Sequence, residues 1–123
     1  MPLRYLLDED LRGGGLWQAI QQHNTSSPHP LDAVRVGDPP DLPLGTLDPN
    51  ILIWAEGEVR VLVSRDQRSL PQHLAAHLRG GRHLPGIFII LKGTTVPAIL
   101  DFLVLAAYAG DPLVYQDRIE HIP

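Results

Sequence analysis

Cysteine is missing from the 123-residue chain, which removes disulfides, thiolate metal sites and a cysteine nucleophile together. That composition is compatible with a reducing cytoplasm. Long apolar runs are missing too. A membrane span needs roughly eighteen consecutive apolar residues, and the best candidate, Ile99 to Ala109, is shorter and broken by Asp101. The opening MPLRYLLDEDL carries acids where a secretory signal needs an uninterrupted apolar core. Clustered positive charge is scarce, and the net charge is −4. This argues against a dedicated basic nucleic-acid binder. It leaves room for a nuclease, because a bound cation reshapes the local field. Arg60, Arg65, Arg68, Arg79 and Arg82 are the one basic patch in view, and they read first as solvated side chains. The chain also lacks G-x-G-x-x-G, Walker, G-x-S-x-G and H-E-x-x-H signatures, internal repeats and low-complexity segments.

What remains is a 44% hydrophobic chain, enough for the core of one domain over residues 1–123. Short apolar runs alternate with helical patterns. Leu3 to Leu7 reads as a strand, then Gly13 to Gly15 as a turn into a helix from Leu16 to about His23. Asp32 to Val36 reads as a second strand. The proline-rich GDPPDLPLGTL, residues 37 to 47, reads as an ordered loop over the sheet edge and a candidate lid. Asp48-Pro49 is a helix start, with Asp supplying the cap oxygen and Gly57 the stop. Arg60 to Val63 is a third strand, Leu70 to Arg79 an amphipathic helix, and Gly86 to Leu91 a buried strand. A helix capped by Thr94 or Thr95 runs to about Ala109. Leu113 to Tyr115 reads as a short last strand, and Ile119 to Pro123 as a tail. Alternation of this kind predicts a mostly parallel sheet with helices on both faces.

Acids punctuate the ends of these runs. Asp8 follows the first strand and Asp66 the third. In an open α/β sheet ligands bind beyond the carboxyl ends of the strands, so the two acids meet there if their strands are adjacent. Asp48, opening the helix before the third strand, is expected near the same edge. Carboxylates that converge are costly unless a cation neutralises them, and Mg²⁺ or Mn²⁺ prefers oxygen ligands. Taken singly, Asp48 reads equally as a helix cap, Asp66 as a turn residue, and Glu9 and Asp10 as solvated surface. The six histidines are scattered. His73 and His77 lie one helical turn apart, which is the spacing of a transition-metal pair but more often of a solvated face.

The residues D-P-N-I-L-I-W-A-E-G-E-V-R-V-L-V-S-R-D, Asp48 to Asp66, resemble the carboxyl half of a PIN domain. There an acid opens a helix and the next strand ends in (T/S)-x-D. The start L-L-D-E-D-L is similar to the first PIN strand with its acid. The compact layout looks most like short bacterial PIN-like proteins that begin L-L-D-E-N-L and are proposed as toxins of toxin–antitoxin pairs; Asp10 stands at their Asn position. The resemblance spans roughly residues 3 to 91. It implies a three-layer α/β/α fold with a mostly parallel five-stranded sheet in the order 2-1-3-4-5. It also implies a Mg²⁺- or Mn²⁺-dependent ribonuclease with Asp8, Asp48 and Asp66 as catalytic, metal-binding acids, and RNA and an antitoxin as partners. One departure stands out. A typical PIN domain has a glutamate on a helix between the first two acids, whereas residues 11–47 hold Asp32, Asp38 and Asp41 and no glutamate. Glu9 is the candidate substitute in the metal set.

Two other readings compete. A non-catalytic PIN-like binding protein is expected if the acid cluster is incomplete. A phosphorelay receiver would use Asp8, Glu9, Asp66 and Lys92, but Lys92 follows the fourth predicted strand rather than the fifth. Finally, the helix at about 97–109 is apolar on nearly every face, which predicts a homodimer with that helix in the interface.

Overall fold

The computed structural model describes residues 2–123. Its elements run β1 (Arg4–Leu7), α1 (Leu16–Ser26), β2 (Asp32–Arg35), α2 (Asp48–Glu58), β3 (Val61–Ser64), α3 (Leu70–Arg79), β4 (Ile87–Ile90), α4 (Val96–Ala109), α5 (Pro112–Tyr115) and β5 (Ile119–Ile122). A 3-10 turn, Glu9–Leu11, follows β1. The five strands form one sheet in the order β2-β1-β3-β4-β5, and every pairing is parallel. This is the expected fold class and strand order.

Period-two side-chain alternation builds the three layers. On one face, Tyr5, Leu7, Val61, Val63, Phe88 and Ile90 pack with Ile20 of α1 and Ile99 and Leu103 of α4. On the other, Leu6, Leu62, Ile87 and Ile89 pack with Leu52 and Ala55 of α2 and Leu70 and Leu74 of α3. The central strands β3 and β4 are buried at every residue, which explains why their sequences are continuously apolar rather than alternating. Phe88 anchors the first face, with ring centroids 5.2 Å from Phe102 and 5.0 Å from Tyr115. Tyr5 closes it, its hydroxyl donating to the Leu103 carbonyl at 2.6 Å.

Four expectations need correcting. Leu113 to Tyr115 is not a strand but part of the helical turn α5, which Asp111 caps through the Leu113 N–H. The fifth strand is instead Ile119–Ile122, the stretch read as a tail. Gly57 does not stop α2. The helix continues through it to Glu58, and Val59 ends it in the left-handed region. Asp48 is not the cap of α2. Leu47 occupies that position, and Asp48 lies in the first turn, where a negative charge still suits the helix dipole.

The wholly apolar look of α4 translates into more cover than expected. Leu100, Phe102 and Val104 pack against the first core face, leaving Leu105 and Tyr108 as its large exposed apolar side chains. No helix among the described residues is long and apolar enough to cross a membrane.

Candidate functional site

Parallel pairing of β1 with β3 brings Leu7 opposite Val63, so the acids just beyond them emerge at one edge of the sheet. They line a cleft of about 450 Å³ whose walls include Asp8, Glu9, Asp10, Asp48 and Asp66, with Thr46 and Ile51. The four acids singled out in the sequence as metal-binding, Asp8, Glu9, Asp48 and Asp66, therefore share one cleft. Asp10, set aside as solvated surface, joins them.

Each acid is held differently. Asp8 is nearly buried. Its Oδ1 accepts from the Glu9 N–H at 2.7 Å, and its Oδ2 accepts from the Ser64 hydroxyl at 2.8 Å. Burial pushes its carboxyl up to about 6, with smaller contributions from Asp10 and Asp48 and a partial offset from Ser64. Asp10 Oδ2 accepts from the Arg65 N–H at 3.1 Å and lies 3.3 Å from Ser64 Oγ. Burial also raises Asp10, partly countered by those bonds. The raised pair thus owes more to desolvation than to like-charge repulsion.

Asp66 behaves in the opposite sense. Its Oδ1 accepts from the N–H groups of Arg68 and Ser69, both at 3.0 Å, and its Oδ2 accepts from the Ser69 hydroxyl. The bonds from Ser69 hold its carboxyl below the usual aspartate range. This is the pattern of a carboxylate organising the turn ahead of α3, so the turn role and the cleft role coexist in one residue. Asp48 Oδ2 lies 3.5 Å from both Ser69 Oγ and His73 Nε2. Glu9 Oε1 accepts from the Gly45 N–H at 2.7 Å, pinning the proline-rich loop to the cleft mouth. That loop turns at Gly37, where a Cβ would come within 2.5 Å of Leu44 Cδ2 and where φ is +103°.

The donor set is all oxygen apart from the neighbouring His73, the chemistry that suits Mg²⁺ or Mn²⁺. Among the described residues, no three His, Asp or Glu side chains stand close enough to ligate one ion together. Mg²⁺ commonly takes one or two carboxylates and completes its shell with water. The residues fit such an ion in type, with water completing its shell.

His77, read as solvated, is in fact buried, with its Nε2 2.9 Å from Glu56 Oε1 and 3.0 Å from the His83 carbonyl. It does not pair with His73. Lys92 follows β4 on the surface and does not line the cleft. Comparison of the chain with protein-family models, with curated proteins and with solved structures finds no match.

Ser69 escaped the sequence reading, and Ser64 entered it only as the Ser of the (T/S)-x-D motif. The fold shows that their hydroxyls bridge the acids. Asp10 carried a signal, since it lies two residues after Asp8 in a turn at a strand's carboxyl end.

Proposed function

We propose that the chain is a PIN-like, Mg²⁺- or Mn²⁺-dependent ribonuclease whose acidic cleft holds the ion. The observation that carries this reading is the buried Asp8 carboxyl facing Asp10 and Asp48 across one cleft, a charge arrangement that a divalent cation would relieve. Glu9 and Asp10, which line the same cleft, are the acids at hand for the place that residues 11–47 leave without a glutamate. Bound there, the ion would neutralise phosphate charge and lower the pKa of a coordinated water. The chain's own residues would do the rest. Beside the ion the Asp8 carboxylate would stay ionised and would position the ion and its coordinated water rather than take up a proton. Ser64 fixes its orientation. Arg65 and Arg68, exposed just beyond β3, would meet the phosphates of a single strand. A role as the toxin of an antitoxin-paired system, working in the cytoplasm, rests on the sequence resemblance. A homodimer through residues 97–109 would have Leu105 and Tyr108 at its centre.

A second reading has its own support. Asp66 is engaged by three hydrogen bonds of its own turn, and no three-residue ligand set closes among the described residues. Both favour a PIN-like protein that binds without cutting. Manganese paramagnetic resonance separates the readings when combined with an RNA cleavage assay. The nuclease reading requires stoichiometric Mn²⁺ binding and Mn²⁺-dependent cleavage. Absence of Mn²⁺ binding would overturn it.

A further inference from the structure

At the opposite, amino-terminal edge of the sheet lies a second cavity of about 490 Å³. Its walls are mainly apolar and include Leu3, Val59, Val61, Leu84, Pro85 and Leu113. That volume and lining are those of sites for small organic molecules. A separate observation points the same way. Val59 ends α2 at φ +56°, ψ +56°, its N–H satisfying the Ala55 and Glu56 carbonyls. Glycine or asparagine fills such a position without strain, whereas a β-branched residue there is an outlier. The fold gains little in return, because Val59 is 63% exposed. What the isopropyl group does is help wall the cavity, as does the still more exposed Leu113 of α5.

The rim decides the ligand's charge. Arg4 is paired with Asp32 at 3.1 Å and Glu58 at 3.9 Å. Glu56 is paired with His77 at 2.9 Å and Arg82 at 3.5 Å. His83 Nδ1 meets Asp117 Oδ2 at 2.8 Å. Among the described residues every charged group on the rim already has an opposite partner, so a charged ligand would be desolvated with no counter-charge from them to meet.

We infer that this cavity binds an uncharged, mainly apolar small molecule, gripped between Val59 and Leu113 above a floor of Leu84 and Val61. The site is independent of the acidic cleft and stands whether or not that cleft cuts RNA.

The test is a titration of the full chain with naphthalen-2-ol, followed by amide chemical shifts, with naphthalene-2-carboxylate as the charged counterpart. The expected result is saturable shifts confined to the surroundings of Val59, Leu84 and Leu113, with the carboxylate binding at least about tenfold more weakly. Val59→Gly and Leu113→Asp should each weaken the naphthol by about tenfold, and Val59→Gly should melt no lower than wild type. No saturable shift, equal binding of the carboxylate, or variants that bind like wild type would each overturn the inference. So would a Val59→Gly protein that melts well below wild type, which would assign the valine to the fold. Shifts at the same amides that grow with protein concentration alone would mean a second copy of the chain occupies the cavity, and would overturn it too.

Discussion

The Ser64 hydroxyl donates to Asp8 Oδ2 at 2.8 Å inside the protein, while its oxygen accepts from the Asp66 N–H at 3.1 Å and lies 3.3 Å from Asp10 Oδ2. One side chain thus ties together the three acids that flank β1 and β3. Ser64→Ala leaves the buried Asp8 carboxylate without its side-chain donor. We expect a loss of about 1–3 kcal/mol at neutral pH, and a smaller loss at acidic pH, where Asp8 carries its own proton. Urea unfolding at the two pH values checks this. An equal loss at both would mean that the hydroxyl acts through the Asp66 N–H and packing rather than through the Asp8 charge.

Asp8 also sets a pH dependence. Its folded carboxyl is pushed up to about 6 from an ordinary 3.8. The folded state therefore binds more protons than the unfolded state between those values, and the apo protein loses stability as pH rises through that window. The shift corresponds to a penalty of about 3 kcal/mol once the group is fully ionised, as an upper figure. Asp8→Asn keeps an oxygen for the Glu9 N–H and can donate to Ser64 Oγ while removing the charge. It should be about 1–3 kcal/mol more stable than wild type near pH 8 and gain nothing near pH 4. Denaturant midpoints across that range decide it; a gain independent of pH would contradict the assignment.

Asp66 separates scaffold from site. Asp66→Ala removes acceptors for Arg68, Ser69 and the Ser69 hydroxyl, at an expected cost of about 1–2 kcal/mol. Asp66→Asn keeps one acceptor oxygen and should lose less than half as much. Thermal melts of the two variants provide the comparison, and identical losses would show that the carboxylate charge rather than the turn is what the fold uses.

Most of the fold was legible because each local signal agreed with the next. The continuous apolar runs of β3 and β4, the alternation with helices, and the caps at Thr95 and Gly110 all pointed to one parallel sheet. The carboxyl end misled for identifiable reasons. Leu113, Val114 and Tyr115 are apolar and β-prone, yet Asp111-Pro112 is itself a helix start. The true β5, Ile-Glu-His-Ile, is an edge strand with Ile122 alone buried, too polar to announce itself. The site was legible as acids at strand ends. Its wiring was not, because whether Ser64 or Ser69 reaches a carboxylate depends on turn geometry that residue identity does not encode.

Metal should stabilise what burial destabilises. Mg²⁺ or Mn²⁺ should raise the melting temperature of wild type near pH 8, with a saturation curve set by mass action. The effect should shrink as pH falls through about 6, where Asp8 takes up a proton. In Asp8→Asn it should nearly vanish. Calorimetric scans with and without Mn²⁺ test this, and an equal rise in the variant would place the ion elsewhere.

The most direct test is cleavage of an unstructured single-stranded RNA by the purified chain in Mn²⁺, with Asp8→Asn and Asp48→Asn beside it at the same protein concentration. Wild type should cleave in Mn²⁺ and stop on chelation. Each variant, although folded, should fall by at least about a hundredfold. Wild type that binds Mn²⁺ but leaves the RNA intact, or variants that cleave as well as wild type, would contradict the assignment of this cleft as a catalytic site.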